Sequence, residues 1–259
     1  MIASFSIDNL QIQVHPTRPA MGAAAAESAA GEIRRLLSET GEANVVFSSA
    51  VSQSEFLAAL GADSTIDWTR VTAFHVDEYA GMSEDHPASF RRFLKDHLFH
   101  RVPVRRFHTL EGQAPDLSAE CERYAALLRS HPPSLAILGI GENGHIAFND
   151  PPVCRFDDPF DVKLVQLDHA CRMQQVHDGA FARLEDVPMV ALTVTVSRLM
   201  RIPRAVVVVP GPAKREAVRR TLEGPVETAC PASILRRHRD ATLYLDSESA
   251  SLLAANTES

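Results

Sequence analysis

SLAILGIGENGHIAFNDPP, residues 134–152, sets two opposite kinds of sequence side by side. Ser134 to Ile140 is a short apolar run, entered from Pro132 and Pro133, as a strand buried on both faces would be. Directly after it come two glycines, Gly141 and Gly144, spaced around an amide, an imidazole and a carboxylate: Asn143, His145 and Asp150. A buried strand that runs straight into a polar turn is how a parallel sheet presents chemistry, because ligands bind in the crevice at the carboxyl ends of its strands.

The same pattern recurs on either side. NVVFS (44–48) leads into SAVS, RVTAFHV (70–76) into DEY, and RAVVVVPG (204–211) into PAK. Helical segments separate these strands. TRPAMGAAAAESAAGEIRRLLSETG is rich in alanine and stops at Gly41, and Ser52 and Glu55 are spaced as a capping box for the next helix. Pro87 opens PASFRRFLKDHLF, SAECERYAALLRSH starts at Ser118, and PAKREAVRRTLEG ends at Gly224. A first strand at Leu10–Val14, an alternating one at Val190, a last strand ATLYLD and a last helix SESASLLAANT complete the order. Alternating strands and helices predict a single-domain α/β fold over residues 1–259, a mostly parallel, Rossmann-like sheet with helices on both faces.

Composition bounds the function. The chain has 259 residues, 45% of them hydrophobic and 23% charged, which suits a folded globular protein rather than a disordered one. A net charge of -7 argues against broad attraction to nucleic acid or to an acidic membrane surface. The opening MIASFSIDNLQIQVHP does not read as a secretory signal and no apolar run is long enough to span a bilayer, so a cytoplasmic location is expected. Cys121, Cys154, Cys171 and Cys230 are scattered, with no CxxC, and no paired-histidine spacing occurs, so no metal site is expected. Neither a nucleotide-binding glycine motif nor a Gly-x-Ser-x-Gly elbow is present.

Each strand end then has two readings. Asp77 and Glu78 either cap or face solvent, or supply a carboxylate base. His145 is either a surface histidine or a proton carrier steadied by Asp150, and Asn143 either a turn residue or a group orienting substrate. Lys214, close to a helix start, is either solvated or an anion ligand; Ser48, Ser49 and Ser52 are either turn residues or further phosphate donors.

In order along the chain, FHVDEYAGMSEDHPASF from Phe74, APDLSAECERY from Ala114, GIGENGHIAFNDPP from Gly139, VPMVALTVTVSRL from Val187 and PGPAKREAVRRTLEG from Pro210 resemble blocks of the glucosamine-6-phosphate isomerase/deaminase family, in the group that also holds 6-phosphogluconolactonases. DEY followed by GHIAFN is the specific part, and it favours the amino-sugar phosphate branch. The resemblance implies a cofactor-independent enzyme that binds a small sugar phosphate, with Asp77 moving a proton between C2 and C1 and His145 assisting ring opening. Asp150 stands where the family has a Glu, and Asn143 where it has an Asp. The family's phosphate loop falls at Ser49, Ala50, Val51 and Ser52, without its two glycines. Lys214 matches the family's phosphate lysine, and Arg172 is the substitute for a phosphate arginine whose place aligns with His177. The expected function is conversion of a 2-amino-2-deoxyhexose 6-phosphate to a ketose phosphate and ammonia, with self-association allowed. A lactonase, another sugar-phosphate isomerase and a non-catalytic sugar-phosphate sensor are the alternatives.

Overall fold

The computed structural model describes residues 1–254. Its chain begins with β1 (Ala3–Ile7), β2 (Leu10–His15), α1 (Arg18–Thr40), β3 (Ala43–Phe47) and α2 (Ser54–Gly61). Next come β4 (Val71–His75), β5 (Asp77–Tyr79), α3 (Phe90–Leu94), β6 (Arg106–His108), α4 (Leu117–Ser130) and β7 (Leu135–Leu138). The last part holds β8 (Val162–Gln166), α5 (His169–His177), β9 (Val190–Val194), α6 (Val196–Leu199), β10 (Arg204–Val209), α7 (Arg215–Glu223) and β11 (Ala241–Asp246).

Eight strands form one sheet in the order β1-β2-β11-β10-β7-β3-β4-β6, parallel throughout except for the β1–β2 hairpin. The expected α/β fold with a mostly parallel sheet is therefore present. Alternate residues of its central strands point to opposite faces. Val45, Phe47, Ile137, Val206 and Val208 pack with α1 and α2 residues, whereas Val46, Leu138 and Val207 pack with Tyr124, Leu128, Val218 and Leu222 from α4 and α7. Both faces are thus covered, which is why these strands read as continuous apolar runs.

A second, antiparallel sheet, β5-β9-β8, departs from the expected pattern. Val76 is the junction: its N–H donates to Phe47 in the large sheet, and its carbonyl accepts from Val194 in the small one. DEY is therefore a buried strand, neither a helix cap nor a solvated turn. Behind it Glu78 lies fully buried against Arg91, with Nε 3.2 Å from Oε2, and Arg91 also donates to the carbonyl of Met82 at 2.8 Å. Burial pushes the Glu78 carboxyl up, against the pull of the Arg91 and Tyr79 N–H groups and the Ser89 hydroxyl. Truncating one member of such a pair leaves the other charge buried and alone. Arg91→Met is expected to lower the unfolding free energy by about 3–5 kcal/mol, measured as a urea midpoint shift at unchanged m. A loss under about 1 kcal/mol would show that Glu78 needs no guanidinium.

Some local expectations are corrected. Strand β1 precedes the expected first strand; its half-exposed ASFSI carries only a weak apolar signal. Ser52 lies inside a 3-10 turn, Val51–Gln53, and α2 starts at Ser54 with no side-chain cap. Glu55 instead pairs with Arg18 at 2.8 Å. Pro87 precedes α3, whose N-cap is Ser89. Gly41 does end α1, in a left-handed conformation with φ 84° that favours glycine. The last segment, read as a helix, forms turns over 247–253, and 255–259 lie outside the described residues.

Candidate active site

Four strand ends converge on one cleft of about 490 Å³, counting its open mouth. The turn after β3 brings Ser48, Ser49, Ala50, Ser52 and Gln53. The β4–β5 junction brings Asp77, and the turn after β7 brings Gly141 and His145. Lys214 arrives from the turn after β10. Phe90 and Phe148 supply an apolar wall.

Asp77 is the first residue of β5 and pairs with Thr193 of β9, so its backbone is held by the small sheet. The residue is 5% exposed. Burial, and then the nearby carboxylates of Glu78 and Asp150, push it well above the ordinary carboxylate range, while the Phe148 N–H works the other way. A carboxylate so placed, once ionised, is an unusually strong base.

Behind His145 stands Asp150, with no exposed surface. Its Oδ1 is 2.9 Å from Nδ1 of His145 and accepts from Asn143 Nδ2 at 3.0 Å; its Oδ2 accepts from the Asp168 N–H at 3.2 Å. Burial raises the Asp150 carboxyl, but the imidazole, the Asn143 amide and the Asp168 N–H outweigh it, and the net direction is down. Asp77 and Asp150 are thus pushed in opposite directions, the pattern of one proton acceptor beside one permanent anion. Asn143 also accepts from the His145 N–H at 3.0 Å through Oδ1. An aspartate there could take that bond yet could not donate to Asp150, so the amide suits its partner. Neither Asn143 nor Asp150 lines the cleft; both act on His145 from behind.

The turn is closely fitted around the imidazole. A Cβ on Gly141 would lie 2.2 Å from His145 Cε1 and Nε2. Two residues after His145, Ala147 sits at φ 49°, a left-handed conformation costly for a residue with a Cβ. That strain falls in the wall of the cleft.

The cleft also holds anion ligands. Lys214 is 6% exposed and, among the described residues, forms no ion pair. Burial lowers its pKa, opposed by Asp178 and Glu142. Ser49 Oγ is buried and finds no hydrogen-bond partner among the described residues. Arg172 stands apart from the lining: it donates to the carbonyls of Leu184 and Val187, at 2.7 and 3.0 Å. His177 is exposed at the end of α5, 3.6 Å from Glu142. From the same helix come two lining residues that the sequence did not suggest, Gln174 and Gln175. Gln175 Oε1 accepts from the Tyr79 hydroxyl at 2.8 Å, and Gln174 Oε1 from the Glu142 N–H at 2.8 Å. Their spacing from the buried Cys171 on one helix face was the available signal.

Residues 16–155 match the family described as glucosamine-6-phosphate isomerases/6-phosphogluconolactonase. A glucosamine-6-phosphate deaminase of Exiguobacterium sibiricum is 41% identical over 191 residues, 73% of each chain. One from Listeria innocua is 36% identical over 214 residues, 83% of this chain and 89% of that one. Among solved structures, a monomeric glucosamine-6-phosphate deaminase superposes with a TM-score of 0.85 at 30% identity, covering 93% of this chain and 99% of the other.

Proposed function

This chain belongs to the glucosamine-6-phosphate isomerase/6-phosphogluconolactonase family, and from that membership we propose that it is an amino-sugar phosphate isomerase/deaminase, taking glucosamine 6-phosphate to a ketose 6-phosphate and ammonia. The observation that carries the reading is the convergence on one cleft of a buried carboxylate, an imidazole backed by an anion, and an unpaired buried ammonium. The first two move protons and the third holds the phosphate.

His145 protonates the ring oxygen as the sugar opens, with Asp150 and Asn143 fixing its orientation. The Asp77 carboxylate then takes the C2 proton of the open chain and delivers it to C1. As the amine passes a proton to O1, C1 becomes a hydroxymethyl group and C2 an imine, which water hydrolyses to the ketone and ammonia. Lys214, Ser49 and Ser52 hold the 6-phosphate, and Arg172 steadies the loop around Leu184 and Val187. The chemistry asks for no cofactor. Among the described residues no helix is long and apolar enough to cross a membrane, and we place the enzyme in the cytoplasm. Sedimentation of the purified chain tests whether it pairs with a second copy of itself.

The deciding assay follows ammonia and ketose phosphate release from glucosamine 6-phosphate, beside galactosamine 6-phosphate and 6-phosphogluconolactone. Ammonia from glucosamine 6-phosphate is the expected result. Lactone hydrolysis without ammonia release would overturn the reading. His145→Gln is expected to lose more activity on the cyclic substrate than on an analogue that opens freely. Equal losses would remove His145 from the ring-opening step.

A further inference from the structure

Cys171, on the first turn of α5, is 1% exposed and takes no part in the reaction described above. Its thiol nevertheless lies beside the imidazole of His145 and the carboxylate of Asp150. Sγ of Cys171, a ring nitrogen of His145 and a carboxylate oxygen of Asp150 all lie within 4.8 Å of one another, and all three residues are buried. Asp150, Asp77 and Asp168 set negative potential around it.

We infer that His145, Asp150 and Cys171 form a binding site for one divalent ion of the zinc type, behind the imidazole that lines the cleft. Imidazole, carboxylate and thiolate are the donor set that suits zinc, and a sulfur ligand selects against magnesium and calcium. Tetrahedral zinc holds its ligand atoms about 3.3–3.8 Å apart. That spacing falls between the 2.9 Å separating His145 Nδ1 from Asp150 Oδ1 and the 4.8 Å outer limit of the cluster, so small side-chain rotations suffice. On binding, the thiol releases its proton to solvent and the neutral imidazole keeps its own on Nε2. Thiolate and carboxylate together balance the charge of the ion. His145 is the only one of the three that lines the cleft, so the ion enters past its ring.

Occupancy takes from His145 the carboxylate that orients it, so the bound ion is an inhibitor rather than a helper of proton transfer. The site itself does not depend on the reaction assigned above; only the inhibition does. Chelator-treated protein is titrated with Zn²⁺ by calorimetry and with Co²⁺ by absorbance. One equivalent is expected to bind, and Co²⁺ is expected to show a near-ultraviolet thiolate charge-transfer band. Cys171→Ser should abolish the band and weaken Zn²⁺ binding by more than the ~10–100-fold that loss of an outer-shell partner costs. Cys154→Ser, which changes another buried thiol, should retain both. His145→Gln serves as a second variant, keeping the thiol but weakening binding by a similar factor. Absence of stoichiometric binding, or a band that survives in Cys171→Ser, overturns the site. With glucosamine 6-phosphate as substrate, lost turnover is expected to track Zn²⁺ occupancy and return on chelation. Full turnover with the site filled overturns the inhibition and leaves the reaction assignment intact.

Discussion

Asp77→Asn is expected to reduce turnover of glucosamine 6-phosphate by about 10²–10⁴-fold with little change in substrate binding, because the amide keeps the shape of the side chain and cannot accept the C2 proton. The same substitution is expected to raise the thermal midpoint. Burial and two neighbouring carboxylates lift the folded-state pKa of Asp77 above its unfolded value. The stability this group contributes is therefore fully present below the unfolded pKa and is lost as pH rises through the folded one. At neutral pH the wild type carries that loss and the amide does not, so the two melting curves should separate there and draw together in acid. An identical midpoint at neutral pH would contradict the electrostatic account of the site. The same shift predicts the kinetic profile: kcat/KM falls as pH drops through the raised pKa, so its acid limb lies above the range of an ordinary carboxylate.

Gly141→Ala is the second large effect. The added methyl would lie 2.2 Å from the His145 ring, and relieving that contact displaces the ring from the buried carboxylate that stands 2.9 Å from its Nδ1. A misplacement of about 1 Å of a reacting group costs on the order of 10²-fold. We expect kcat/KM to fall by about that factor while kcat on a ring-opened analogue is largely kept. Loss on both substrates alike would mean that the methyl disturbs the phosphate end of the cleft instead.

The strand ends that build the cleft are legible in the sequence because each couples a fully buried apolar run to a polar turn, and both halves of that signal are local. Asp77, His145, Ser49, Ser52 and Lys214 all reach the cleft for this reason. The small sheet is not legible in the same way. Three residues, Asp77–Tyr79, make a strand only by pairing with Ala191–Thr193, more than a hundred positions later, and nothing near DEY announces that partner. Gln174 and Gln175 escape notice because their segment, HACRMQQVH, has weak apolar contrast. Arg172 is the opposite case: its charge and position suggest a phosphate ligand, whereas the fold turns its guanidinium toward the carbonyls of Leu184 and Val187. The metal-ligand cluster is invisible to spacing rules, because its three donors come from two separate segments that meet only in the folded chain.

The pairing of β2 with β11 has a consequence for how the protein is made. Strand β2 finds its parallel neighbour in the last strand of the sheet, with Leu10 opposite Ala241 and His15 opposite Asp246. At a ribosomal rate of ~5–20 residues per second, roughly 10–50 s pass between the emergence of the two. Through that interval the N-terminal hairpin has one edge open, and Leu10 and Ile12, which end with no exposed surface, have no finished core to enter. An unpaired strand edge in a nascent chain is a template for the wrong partner. Vectorial folding from the N-terminus is thus closed to the β1–β2 hairpin, whereas β3, β4, β6 and β7 pair only with one another on that side of the sheet and have all emerged by residue 138.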